Sequence, residues 1–179
     1  MRRAAWWTLT LATACAGDPA SEVPEDSGLM ATTSDTESTG DTATSPSSGT
    51  VPTTPASLDT WLADGAYLAW AAESGPHPSA GPHFGEVRTY VDPLLAGSLS
   101  AGSDEHPLGA TAVKELYGDG TEVRGYSVMV KIGQGTDGAS WYWYEVYDGV
   151  VYGDGRGDRT CTGCHRPGTD YVLTPYPLP

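Results

Sequence analysis

The sequence predicts an α+β domain, built mainly on an antiparallel β-sheet, with helices at its start and a short turn or helix at its end. Three observations predict this. Runs of alternating apolar and polar residues recur between residues 86 and 152, bounded by glycine, proline or aspartate, as half-buried strands require. Two of these runs are joined by Gly118-Asp119-Gly120-Thr121, a hairpin signal. Ahead of them, Leu58 to Leu62 and Ala66 to Ala72 carry apolar residues at helical spacing.

The chain opens outside this domain. Arg2 and Arg3 precede a short, mostly apolar run from Ala4 to Ala14 that includes Trp6, Trp7, Leu9 and Leu11. A basic start, an apolar middle and small residues before a cut are the layout of an export signal. The run is too short for the ~20 residues of a membrane-spanning helix. Leu11-Ala12-Thr13-Ala14-Cys15 resembles a bacterial lipoprotein box with Cys15 as the acylated residue. Ala12 stands where a larger aliphatic residue is usual, so an ordinary signal peptide is the alternative. Acyl chains on Cys15 would supply the two or more anchors that stable attachment needs. Ala16 does not resemble the aspartate of a retention signal, so with Cys15 acylated the expected location is the outer membrane, if the cell has one, facing the periplasm or the cell surface.

Residues 16–55 are Ser, Thr, Gly, Asp, Glu and Pro with almost no large apolar side chains. Such a segment cannot bury enough surface to offset the entropy of ordering, and it reads as a disordered acidic tether. Residues 56–179 have the size of one domain. Its opening helices offer Trp61, Leu62, Tyr67 and Trp70 as one apolar stripe, punctuated by Gly65. A Gly-, Pro- and His-rich loop runs from Gly75 to Gly85. Glu86 to Asp92 then alternates as a strand, with Val87, Thr89 and Val91 on one face. Pro93 stops it and begins a short helix through Leu99. Ala110 to Tyr117 and Glu122 to Ile132 form the hairpin. Trp141 to Tyr147 is a strand aromatic on both faces, and Asp148-Gly149 turns it into Val150 to Tyr152.

Near the end stands Cys161-Thr162-Gly163-Cys164-His165, a C-x-x-C-H sequence. Two thiols at this spacing can each add to one vinyl group of a porphyrin, and the adjacent imidazole can then bind the iron as proximal ligand. The motif therefore predicts one covalent haem c per chain, held by Cys161, Cys164 and His165. A disulfide, a redox pair or half a zinc site are the alternatives. Zinc would need further ligands, no other cysteine remains in the mature domain, and a disulfide leaves His165 unexplained. With a single phenylalanine in the chain, the concentrated Trp and Tyr suit a flat porphyrin wall as well as plain sheet packing.

Net charge is −14. The tether has seven carboxylates and no bases, and the domain has sixteen carboxylates against seven Lys and Arg. This argues against nucleic acid and anionic lipid as partners, leaving the membrane to be reached through the lipid anchor only. A basic redox protein and a second copy of the chain are the protein partners compatible with it.

The order of these segments resembles the cytochrome P-460 and cytochrome c′-β family. The resemblance rests on Glu86-Val87-Arg88-Thr89-Tyr90-Val91-Asp92-Pro93, Val113-Lys114-Glu115-Leu116 and Gly125-Tyr126-Ser127-Val128-Met129-Val130-Lys131. The aromatic strand, the C-terminal C-x-x-C-H and Asp170-Tyr171-Val172 complete it, over roughly residues 85–171. It implies a predominantly β-sheet domain with one c-type haem. A helical cytochrome c is excluded, because only fourteen residues follow His165 and none is Met. A sixth iron ligand would have to come from His77, His83, His106 or Met129. His83, after Gly81-Pro82 and just before a strand, is the best placed. An empty sixth position is the expectation, and it suits binding of a small molecule.

Lys114 shares a face with Ala112 and Leu116, so it is expected to be partly buried, with a lowered pKa. In the P-460 branch a lysine at the matching position cross-links to the porphyrin, so the resemblance implies a catalytic part for Lys114; the alternative is a lysine whose ammonium reaches solvent. The distal carboxylate of hydroxylamine-oxidising members falls at Ser127, which counts against an oxidase for want of a base. The expected function is a mono-haem cytochrome whose open site binds nitric oxide or a similar small nitrogen oxide. The alternatives are a hydroxylamine or nitric oxide oxidoreductase and a six-coordinate electron-transfer protein.

Overall fold

The computed structural model describes residues 50–179. The segment expected to be an export signal, with Cys15, and nearly all of the expected tether lie outside the described residues. The domain is α+β, a seven-stranded, mainly antiparallel sheet with three α-helices. No helix among the described residues is long and apolar enough to cross a membrane.

Helix α1 (Pro55–Ala63) begins with proline at its first turn, where no backbone donor is lost. The folded unit starts earlier than residue 56, because Val51 is buried beside Leu58 and Leu62. One valine among Thr and Pro offers no periodicity, which is why sequence spacing missed it. The second predicted helix is also revised. Gly65 adopts φ +69° and leads into a 3-10 turn, Ala66–Ala69, after which the chain extends. Strand β1 (Ala71–Ala72) then pairs with the edge of β3 (Glu86–Val91), as does β2 (His77–Pro78).

Helix α2 (Pro93–Ser100) is capped by Asp92, whose Oδ1 accepts from Leu95 N at 2.8 Å and Thr111 N at 3.0 Å. Strands β4 (Thr111–Gly118), β5 (Gly125–Lys131), β6 (Trp141–Tyr147) and β7 (Val150–Arg156) continue the sheet in chain order, each antiparallel to the last. β7 runs four residues beyond its predicted end, through Gly153 and Gly155, because pairing with β6 overrides the weak strand preference of glycine. Helix α3 (Arg159–His165) closes the fold.

The sheet separates two packed layers. Behind it, Tyr90, Val113, Val128, Val130, Tyr142 and Tyr144 pack on Leu58, Leu62 and Tyr67. In front, Val91, Ala112, Met129, Trp141 and Trp143 pack on Leu95 and Val172, with Cys161 and Tyr171 at the margin. Strand alternation therefore sends even and odd positions of β4 to chemically different surroundings: Lys114 forward and Glu115 back.

Candidate functional site

The front face holds a cavity of about 380 Å³, within the ~300–1,000 Å³ usual for small-molecule and cofactor sites. Its floor is a single cross-strand row. Thr89 of β3 pairs with Lys114 of β4, Lys114 with Ser127 of β5, and Ser127 with Glu145 of β6, and all four line the cavity. The next position along the row is Gly153 of β7. A Cβ there would sit 3.1 Å from Cys161 Sγ, so the missing side chain is what lets the thiol approach the sheet.

Helix α3 forms the opposite wall. Asp158 caps it by accepting from Thr160 N at 2.8 Å. The motif spacing places Cys161, Cys164 and His165 at i, i+3 and i+4, hence on one helix face, and all three line the cavity. The two cysteines are not bonded to each other. Burial, with Asp158 and Glu145 adding to it, pushes the Cys161 thiol up to about 12. His165 Nδ1 lies 2.9 Å from the Tyr171 carbonyl oxygen. A carbonyl only accepts, so Nδ1 carries the proton and Nε2 keeps its lone pair. Burial holds the His165 imidazole below its usual pKa, and His83 and Lys114 add to that lowering against the Tyr171 bond. Trp143 packs against the His165 ring with centroids 4.9 Å apart.

The four upstream candidates for a second axial ligand separate clearly. Met129 is buried in the front core and His106 is buried against Trp141, its Nδ1 2.8 Å from Ser98 Oγ; neither lines the cavity. His77 lies on the cavity rim, its Nε2 3.0 Å from Glu73. His83 faces His165 across the cavity with ring centroids 6.2 Å apart, and its Nδ1 is 2.7 Å from Glu145 Oε2. A carboxylate only accepts, so His83 Nδ1 donates to it and Nε2 is the ring nitrogen not engaged by Glu145.

Lys114 is half-buried on the floor, and burial lowers its pKa against the opposing pull of Glu73 and Glu145. Sequence reasoning missed Glu145 as a cavity residue. Ser127 marks the position where a carboxylate was sought, and its cross-strand partner supplies one. The signal available was alternation, which puts Trp141, Trp143 and Glu145 on one face of β6.

The cavity-facing groups that could hold a prosthetic group are thus two thiols and one bare imidazole nitrogen on one wall. A lysine, a carboxylate and a second imidazole face them. Among the described residues no group of three or more His, Cys, Asp or Glu side chains is disposed to hold a metal ion by itself. No family model matches the chain, and no curated protein matches it.

Proposed function

We propose that the chain is a mono-haem c-type cytochrome of the cytochrome P-460 and cytochrome c′-β kind that binds nitric oxide or a similar small nitrogen oxide. One observation carries the reading: Cys161, Cys164 and His165 open together on a cavity whose far side is a polar row ending in Glu145. The donor set fits covalent haem. Two unbonded thiols on one helix face match two vinyl groups, and His165 presents Nε2 with Nδ1 already anchored, the arrangement usual for a metal-binding histidine. When bound, haem would supply an iron able to take a small ligand and to change oxidation state. Lys114, Ser127 and Glu145 would then border the ligand, with Lys114 Nζ able to donate and Glu145 to accept a proton.

A second reading rests on His83. Its ring faces His165 and its Nδ1 is held by Glu145, which favours a six-coordinate electron-transfer protein. A third, an oxidoreductase acting on hydroxylamine or nitric oxide, gains from Glu145, the cavity carboxylate that Ser127 does not provide. Attachment to the outer membrane through Cys15 completes the proposal.

The purified protein should keep haem stain through denaturing electrophoresis, and Cys161→Ala with Cys164→Ala should lose it; stain retained in that double variant refutes the attachment. A high-spin ferric spectrum unchanged by His83→Ala supports the ligand-binding reading. A low-spin spectrum that becomes high-spin in His83→Ala selects electron transfer instead.

A further inference from the structure

The front core contains an ion pair that the cavity chemistry does not use. Lys131 and Asp170 meet at 2.5 Å with both side chains fully inaccessible. Lys131 Nζ also donates to Gly135 O at 2.6 Å and Ser140 Oγ at 3.0 Å, and lies over the Trp141 ring. Asp170 Oδ2 additionally accepts from His106 N at 2.9 Å, and Oδ1 accepts from Trp141 Nε1 at 3.1 Å. Both carboxylate oxygens are therefore tied to the sheet side of the molecule.

The pair sits at a place where the backbone is forced. Asp170 and Tyr171 both adopt left-handed conformations, φ +44° and +65°, which non-glycine residues avoid. Such strain persists only where the surroundings over-determine it. The turn runs from His165, whose carbonyl accepts from Gly168 N, to Gly168, whose carbonyl accepts from Tyr171 N. Its product is the Tyr171 carbonyl on His165 Nδ1. Val172, buried next in the chain, pins the far side.

We infer that the buried Lys131–Asp170 pair positions the iron-binding imidazole, by anchoring the left-handed turn that holds the Tyr171 carbonyl on His165 Nδ1. This rests on the haem reading above. A carbonyl accepting from Nδ1–H fixes the tautomer and ring orientation and raises the basicity of the ligating nitrogen. Asp170 is a positioning residue: it touches neither cavity nor iron site, and acts through Tyr171. The Asp170-Tyr171-Val172 segment thereby acquires a physical role at each position.

The test is the midpoint potential of the haem-loaded protein. Asp170→Asn with Lys131→Met removes the pair without leaving a buried charge, and Asn tolerates the left-handed turn. Haem should stay attached through Cys161 and Cys164, while the potential shifts positive, because a less basic imidazole favours ferric iron less. Leu58→Ala, which weakens the core behind the sheet, should leave the potential where it was. Equal potentials in the wild type and a loaded double variant overturn the inference, as does an equal shift in Leu58→Ala. Should the double variant not fold, Trp141→Phe removes only the Nε1–H bond to Asp170. It should give a smaller shift of the same sign, and no shift there is refuting. A wild type without haem stain overturns instead the haem reading on which this rests.

Discussion

Replacing Glu115 with leucine should cost more stability than any comparable change on the cavity side, because three phenols depend on that one carboxylate. Tyr67 donates to Oε1 at 2.7 Å, and Tyr90 and Tyr117 donate to Oε2 at 3.1 and 2.5 Å. All four side chains are buried behind the sheet. Each phenol left without a partner costs about 1–3 kcal/mol, so three cost about 3–9 kcal/mol. The variant recovers the several kcal/mol that burying a carboxylate costs, leaving a net loss of about 3 kcal/mol. For a domain of this size that corresponds to a fall in melting temperature of about 10 °C. Urea unfolding followed by far-UV circular dichroism measures it. A companion variant sharpens the reasoning. Glu115→Leu combined with Tyr67→Phe, Tyr90→Phe and Tyr117→Phe removes donors and acceptor together, and should regain most of the loss. A loss below about 1 kcal/mol in Glu115→Leu, measured against the cost expected of an orphaned donor, refutes the argument. So does a quadruple variant no more stable than the single one.

Alkaline pH should destabilise the domain. Burial, then hydrogen bonds to Glu115, Asp154 and Asp59, raise the Tyr67, Tyr117, Tyr142 and Tyr144 phenols above their ordinary range. Their protons are lost from the unfolded chain first, so this stability is intact below pH ~10 and falls as pH rises beyond it. Urea midpoints between pH 8 and 11 should show the decline, and Tyr142→Phe should make it shallower; an unchanged slope there contradicts the assignment. For Lys114, a cross-link would leave its peptide joined to the Cys161–Cys164 peptide through haem after proteolysis, with Lys114→Leu giving an ordinary c-type spectrum; a free Lys114 peptide in the wild type removes the modified-haem oxidase. Cys15→Ser should abolish lipid labelling and release the protein from membranes, and a freely soluble wild type would sink the lipoprotein reading.

What the sequence made legible follows from the range of each signal. Alternation is local, so the strands and the forward orientation of Lys114 could be read directly, and so could the clustering of Cys161, Cys164 and His165. Register is not local. That Thr89, Lys114, Ser127 and Glu145 form one row depends on hairpin geometry two strands away, and Glu145 consequently read as one polar residue in an aromatic run. The 3-10 turn at Ala66–Ala69 reflects the same limit: Ala71 and Ala72 are drawn into the sheet edge by Tyr90 and Val91, against their own helical preference. Val51 was invisible for want of neighbours to establish a period.

The close seat of Cys161 against Gly153 bears on the order in which the molecule is made. A thiol is nucleophilic as its thiolate, and at pH 7 a group held near 12 is ionised in only on the order of one molecule in 10⁵. The finished fold is therefore a poor acceptor for its own porphyrin. If thioether haem is present, its bond to Cys161 forms more readily while α3 is undocked from β7, where burial does not suppress the thiolate. Folding then becomes the step that seals a completed attachment.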